Sequence, residues 1–182
     1  MRIISGKARG TKLYTLEGTN TRPTLDRVKE SIFNIIQNEI EGAIVLDLFA
    51  GSGAIGLECL SRGAKKAVLC DKSKEAIEII KKNIEKTHME EKARVINADF
   101  KTCLDKVKDE LFNIIYIDPP YATDYIFKSL KKIKEIGIVK KESIIIIETD
   151  DEQRILKEIG NIEIKIVDKR KYGRATIIFL EI

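Results

Sequence analysis

The 182-residue chain predicts an α/β fold: a mixed seven-stranded sheet, mostly parallel, with helices on both faces and a C-terminal antiparallel hairpin. Two patterns predict it. Apolar runs, several of them closed by an acid, alternate with helical stretches as far as residue 159, which is the repeat of a parallel sheet. Two further runs, 162–167 and 175–180, are then separated by only seven residues. A parallel pair needs a crossover of about a dozen residues or more, so these two pair antiparallel.

Taken in order, Arg22-Pro-Thr24 leads into a helix with Val28, Ile32 and Ile35 on one face and Thr24 as its cap. The first strand is 43–48, followed by a glycine turn and a helical stretch over 54–61. Lys66-Ala-Val-Leu-Cys-Asp71 repeats the form of a strand closed by an acid. Ser73 then caps a helix over 74–86, whose Ile77, Ile80 and Ile84 recur at helical spacing. Residues 93–98 give the third strand and 111–117 the fourth. Phe127, Leu130 and Ile133 mark an amphipathic helix, and Ser143-Ile-Ile-Ile-Ile-Glu148 is a fully apolar fifth strand. A short helix over 152–159 precedes the closing hairpin, whose turn is read over 168–174.

This length suits one well-packed core, so the chain is read as a single domain: a basic arm over 1–25 and a catalytic α/β unit over 26–182. With 43% apolar and 34% charged residues the composition is that of a soluble globular protein. No apolar run approaches the roughly 20 residues needed to span a bilayer, and the N-terminus shows no secretory pattern, so a cytoplasmic monomer is expected. Cys59, Cys70 and Cys103 fit neither a disulfide framework nor a zinc site and read as apolar packing residues. His88, the single histidine, falls in a polar connection and leaves a histidine-based hydrolytic mechanism without parts. No metal is expected.

The formal net charge of +4 is unevenly distributed. Residues 1–29 hold seven basic side chains (Arg2, Lys7, Arg9, Lys12, Arg22, Arg27, Lys29) against Glu17 and Asp26, a balance of +5, which leaves −1 for the rest. That asymmetry suits a polyanion. Charge alone does not separate such contact from simple solvation of a flexible arm.

Gly51-Ser-Gly-Ala-Ile-Gly56 matches the GxGxxG turn, with Asp71 twenty residues beyond its first glycine. Both a dinucleotide enzyme and an S-adenosylmethionine enzyme use this turn for close backbone approach and such an acid for the ribose hydroxyls. Asp47 separates the two. A carboxylate at the tip of the first strand repels a pyrophosphate and attracts the cationic methionine end of S-adenosylmethionine. The expected cofactor contacts are therefore Asp47, Phe49, Ala50, Gly51, Ser52, Gly53, Asp71 and Lys72, with Asp99 and Phe100 at the adenine.

At the end of the fourth strand stands Asp118-Pro119-Pro120-Tyr121. An Asp carboxylate and a proline-flanked carbonyl can accept both hydrogens of an exocyclic amine, while the aromatic ring stacks on the base that carries it. A structural alternative makes Pro-Pro a rigid exit from the sheet and Tyr121 a core aromatic. Position favours the chemical reading, because α/β sheets bind ligands at the C-terminal ends of their strands.

Four stretches, 2–13, 22–33, 47–58 and 118–121, together resemble the bacterial 16S ribosomal RNA guanine-N2 methyltransferases, within the class I S-adenosylmethionine-dependent methyltransferases. The resemblance extends over essentially the whole chain. It implies transfer of a methyl group to the exocyclic N2 of a guanine in small-subunit rRNA, in an assembled or partly assembled subunit. Asp118 to Tyr121 would form the catalytic motif, and Arg2, Lys7, Arg9, Lys12 and Arg22 would contact RNA. Arg27 is either a further contact or ordinary helix-surface charge. The tetrapeptide also occurs in adenine-N6 and cytosine-N4 DNA methylases, so the motif alone leaves the base open. The absence of a target-recognition domain argues against a sequence-specific DNA enzyme, and Asp47 against a dinucleotide-dependent oxidoreductase.

Overall fold

Strand β1 (Ile44–Asp47) lies inside a seven-stranded sheet. On one side of it are β2 (Lys66–Asp71) and β3 (Ala93–Asn97), and on the other β4 (Phe112–Ile117), β5 (Val139–Thr149), β7 (Ala175–Glu181) and β6 (Lys165–Tyr172). Neighbours among β1 to β5 are parallel, and β7 runs antiparallel to both β5 and β6. This computed structural model describes residues 1–16, 23–121 and 123–182, with side chains from residue 27 onward in the first helix. Arg22 and the side chain of Thr24 thus lie outside the described residues.

Chain order reverses between β1 and β4, since β2 and β3 extend the sheet one way before β4 and β5 extend it the other. The loops leaving β1 and β4 therefore part at their C-terminal ends and open a crevice there. Helices α1 (Pro23–Ile35), α2 (Ala54–Ser61) and α3 (Lys74–Thr87) cover one face, packing Ile32, Leu57 and Ile80 on Val45, Ile114 and Ile146. On the other face α4 (Phe100–Lys106), α5 (Tyr125–Ile136) and α6 (Glu152–Gly160) pack Cys103, Leu130 and Ile155 on Leu46, Ile115 and Ile147. The central strands thus bury both sides, which is why they are continuous apolar runs rather than alternating ones.

Several elements differ from the sequence expectation. The buried face of α1 continues from Val28 and Ile32 to Phe33 and Ile36, while Ile35 is 38% exposed. At roughly 100° per residue Val28, Ile32, Ile36 and Phe33 follow one another around the helix, and Ile35 falls just outside that buried arc, beside Val28. Ile126, not Phe127, is the buried residue at the start of α5. Helix α4 was not anticipated; Asp99 creates it, accepting hydrogen bonds from Lys101 N at 2.9 Å and Thr102 N at 3.2 Å as its N-cap. The final hairpin is also tighter than read. Residues 168–171 belong to β6, and Gly173-Arg174 alone connect Tyr172 to Ala175. β6 is an edge strand exposed along most of its length, so polar residues populate it and its apolar pattern is weak.

Other readings match. Ser73 Oγ accepts from Ala76 N at 3.2 Å, and Ile77, Ile80 and Ile84 are buried. His88 ends α3 as an exposed residue in the left-handed conformation, and the three cysteines are buried free thiols. Among the described residues no helix is long and apolar enough to cross a membrane.

Residues 1–14 form a folded-back arm, with Arg2 bridged antiparallel to Lys12 and Ile3 buried. Glu58 of α2, itself fully buried, receives it. Its carboxylate accepts Ile4 N at 2.7 Å and Ser5 N at 2.9 Å, and it pairs with Lys29 at 3.0 Å and Arg62 at 2.8 Å. Gly6 is required at the next step: a Cβ there would stand 1.8 Å from the Ser61 carbonyl oxygen, and its φ is +82°.

Candidate active site

The glycine turn leaves β1 at Asp47. Gly53 adopts a left-handed conformation (φ +78°) to start α2, a geometry a side chain would strain. Asp71, from the end of β2, braces the turn by accepting Gly51 N at 2.9 Å, and its other oxygen accepts Ser73 N at 2.9 Å. The acid expected to serve a ribose thus also holds the turn in shape, with acceptor capacity left on each oxygen.

Two cavities open at this edge of the sheet and share Phe49, Gly51 and Asp118 as walls. The larger, about 580 Å³, is bounded by Asp71, Lys72, Asp99, Phe100 and the whole of Asp118 to Tyr121. Its apolar side is an aromatic cluster: Phe49 stacks on Tyr125 at 6.2 Å between centroids, and Phe100 tilts against Tyr125 at 5.1 Å. The smaller, about 240 Å³, is bounded by Asp47, Ala50, Ser52, Tyr116 and Glu148, with Met1, Thr15 and Leu16 of the arm and Val28, Lys29 and Ile32 of α1.

Electrostatics concentrate in the smaller cavity. Asp47 is 1% exposed; its Oδ2 accepts Gly56 N at 3.2 Å while its Oδ1 has no hydrogen-bond partner among the described residues. Burial, with the nearby charge of Asp71, pushes its pKa up to about 7, against the opposing Gly56 hydrogen bond. Burial also raises Asp118 well above the usual carboxylate range, reinforced by the charges of Glu148 and Asp47. Glu148 is raised by burial, and the hydroxyl of Tyr116, donating to its Oε2 at 2.6 Å, opposes that rise. These carboxylates share a cavity without converging as ligands. Among the described residues no group of three or more His, Cys, Asp or Glu could hold a metal ion.

All the expected cofactor and catalytic residues except Gly53 line one cavity or both. Pro119 is buried, whereas Tyr121 is 57% exposed and so is not a core aromatic. The basic residues divide. The arm's tip meets the far end of α2, where Lys7 N donates to Ser61 O, about 12 Å along an eight-residue helix from the glycine turn. Lys7 and Arg9 are exposed at that tip. The carbonyl of Arg2 is instead held by Lys29 Nζ at 2.6 Å, on the smaller cavity's wall.

Sequence reasoning missed Tyr125, Tyr116 and Glu148. Glu148 carried a signal, since it closes an apolar strand as Asp47 and Asp71 do. Tyr125 carried none. The basic end of β6 and the turn after it were also passed over as a site: residues 168–174 hold four basic side chains and one acid, a balance of +3. Register pairs Lys171 with Thr176 and Thr176 with Thr149, one residue beyond Glu148, so this basic turn stands at the cavity edge.

A parallel sheet with its switch point between β1 and β4, an added antiparallel β7, a glycine turn after β1 and acids closing β1 and β2 together define a class I methyltransferase fold. The solved structure of yhhF from Escherichia coli superposes with a TM-score of 0.85 at 30% identity, covering 99% of this chain and 96% of that one. Ribosomal RNA small subunit methyltransferase D of Escherichia coli K12 is 36% identical over 84% of this chain and 76% of its own length. The Haemophilus influenzae protein of the same name is 34% identical over 86% and 82%. A family model described as conserved hypothetical protein 95 matches residues 1–181. The chain belongs to this family, that of ribosomal RNA small subunit methyltransferase D.

Proposed function

We propose that the protein methylates the exocyclic N2 of a guanine in small-subunit (16S) ribosomal RNA, with S-adenosylmethionine as donor, acting in the cytoplasm as a monomer. The observation that carries this reading is the position of Asp118, on the wall shared by a cofactor-shaped cavity and a carboxylate-lined one. The names of the relatives support rRNA as the substrate class. The choice of guanine N2 rests on the four stretches of family resemblance.

The residues present fit the cofactor. The unpartnered Oδ1 of Asp47 is a buried acceptor suited to an ammonium, and the aromatic cluster of the larger cavity offers ring faces to an adenine. Asp47, Ala50 and Ser52 would hold the methionine end, Asp71 and Lys72 the ribose, and Asp99 and Phe100 the adenine. When bound, S-adenosylmethionine supplies a methyl group already activated on a sulfonium.

The rest falls to this chain's own groups. An exocyclic amine is a weak nucleophile because its lone pair is delocalised into the ring. The Asp118 carboxylate and Pro119 carbonyl accept its hydrogens, favour a pyramidal nitrogen and stabilise the positive charge that develops there. The proton released from the nitrogen passes to Asp118 or to water. Exposed Tyr121 stacks on a base that must be unpaired or flipped out to enter. Arg2 and Lys12 of the arm, and the basic turn after β6, contact phosphates around it, with Lys7, Arg9 and Arg22 extending that contact.

The test is to supply labelled methyl donor with unmethylated small subunits, naked 16S rRNA and duplex DNA, then locate the product by mass spectrometry. Label on N2 of a guanine in rRNA is expected. Label in DNA only, or on adenine N6, overturns the reading.

A further inference from the structure

Glu148 closes β5 but has no task in the reaction described above. It is 8% exposed and lines the smaller cavity with Asp47 and Asp118. Its Oε2 is held by the Tyr116 hydroxyl at 2.6 Å, and Tyr116 lies two residues before Asp118 on β4. The side chain is thus oriented from the strand that delivers Asp118. Among the described residues no hydrogen bond occupies Oε1, and no lysine or arginine pairs with Glu148. Oε1 is not among the buried polar atoms left without a partner, so it opens onto the cavity, where a donor that enters can reach it. Tyr116 satisfies one oxygen only.

The three bases with an exocyclic amine differ in the ring atom beside it. On the Watson–Crick edge the neighbour of guanine N2 is N1–H, a donor, with N3 on the amine's other side; in adenine the Watson–Crick neighbour of N6 is N1, and in cytosine that of N4 is N3, both acceptors. A carboxylate facing that neighbour therefore attracts guanine and repels the others.

We infer that Glu148 Oε1 accepts the N1–H of the target guanine while Asp118 accepts its N2 amine, so that two carboxylates on one cavity wall select the base. This rests on the reading of Asp118 as the amine acceptor. It supplies the choice that Asp-Pro-Pro-Tyr does not make. Burial draws Glu148 toward its protonated form, and donation from the Tyr116 phenol works against that.

The deciding experiment replaces the target guanosine in 16S rRNA, reconstituted into small subunits, with 2-aminopurine, which keeps the N2 amine but presents a lone pair at N1. Single-turnover methylation by the full-length wild type should be at least ~100-fold slower on 2-aminopurine than on guanine. In Glu148→Gln, whose amide donates as well as accepts, the ratio should shrink to within about tenfold, with S-adenosylhomocysteine affinity by calorimetry unchanged within about twofold. Equal rates on the two bases by the wild type overturn the inference without any variant, so it stays testable if Glu148→Gln does not fold. An unaltered ratio in a folded variant also overturns it, as does a loss of S-adenosylhomocysteine affinity, which would place Glu148 at the cofactor. Product on a base other than guanine refutes the proposed function itself and is distinguishable from either result.

Discussion

Asn83 grips Tyr14 by both of its backbone groups: its Oδ1 accepts Tyr14 N at 2.8 Å and its Nδ2 donates to Tyr14 O at 3.0 Å. The second hydrogen on Nδ2 goes to Ser52 O in the glycine turn, at 2.9 Å. One fully buried amide on α3 therefore ties the end of the arm to the glycine turn. Asn83→Ala should cost about 2 kcal/mol, since it strands a Tyr14 donor and two carbonyls. That corresponds to roughly 4–8 °C in Tm for a chain of this size, read by thermal unfolding, with faster proteolytic release of the arm.

Glu58 organises the other end of the arm. Truncating it to Ala takes one partner from Lys29, whose side chain is 4% exposed, and the pair from Arg62, while Ile4 N and Ser5 N lose their acceptor. A loss of about 3–5 kcal/mol is expected in chemical denaturation. Glu58→Gln, which keeps part of the hydrogen bonding, should cost less.

Asp47 ties stability to pH. Its pKa rises on folding from 3.8 to about 7, so the folded state binds the proton more tightly than the unfolded chain. Its contribution to stability is therefore full below about pH 4 and falls as pH rises to about 7, because only the unfolded state ionises freely there. Asp47→Asn should stabilise the ligand-free protein at pH 8, by up to about 4 kcal/mol. If Asp47 binds the cofactor ammonium, S-adenosylhomocysteine affinity should increase as pH rises toward 7, and Asp47→Asn should flatten that slope in calorimetric titrations.

Asp118→Ala should lower single-turnover methylation by about 10²–10³-fold or more, the scale expected when one electrostatic partner of a developing charge is removed. S-adenosylhomocysteine binding should largely survive, because Asp118 is only one of many residues that line the larger cavity. Retained turnover would remove Asp118 from the centre of the mechanism.

Lys171 and Arg174 are exposed and stand at the site's edge of the sheet. The double charge reversal to Glu should weaken binding of 16S rRNA and reduce the slope of log affinity against log salt by about 2. Reversal of Lys7 and Arg9 tests the distant tip of the arm in the same assay. Unfolding temperature should be unchanged in both, since these side chains are solvent-exposed.

Local pattern made much of this legible. The apolar strands, the Ser73 cap and the glycine turn with Asp47 and Asp71 around it all depend on neighbours within a few residues, which a linear reading captures. Exposed elements were harder. β6 buries almost nothing and imposes no alternation, while α4 buries Phe100, Cys103 and Leu104 at helical spacing over only seven residues, too short a run to stand out. Ile35 was misplaced because a face read from three residues tolerates a slip of one.

Strand and helix order, the turn chemistry and the Asp-Pro-Pro-Tyr motif were thus written in the chain, because each follows from periodicity and residue type over short distances. Which acids would share a cavity was not. Asp47, Asp118 and Glu148 are about 30 to 100 positions apart, and they meet only because β4 and β5 assemble on the side of β1 away from β2. Strand order is a property of the packed sheet, as are the burial that raises these carboxylates and the Tyr116 hydrogen bond that orients Glu148.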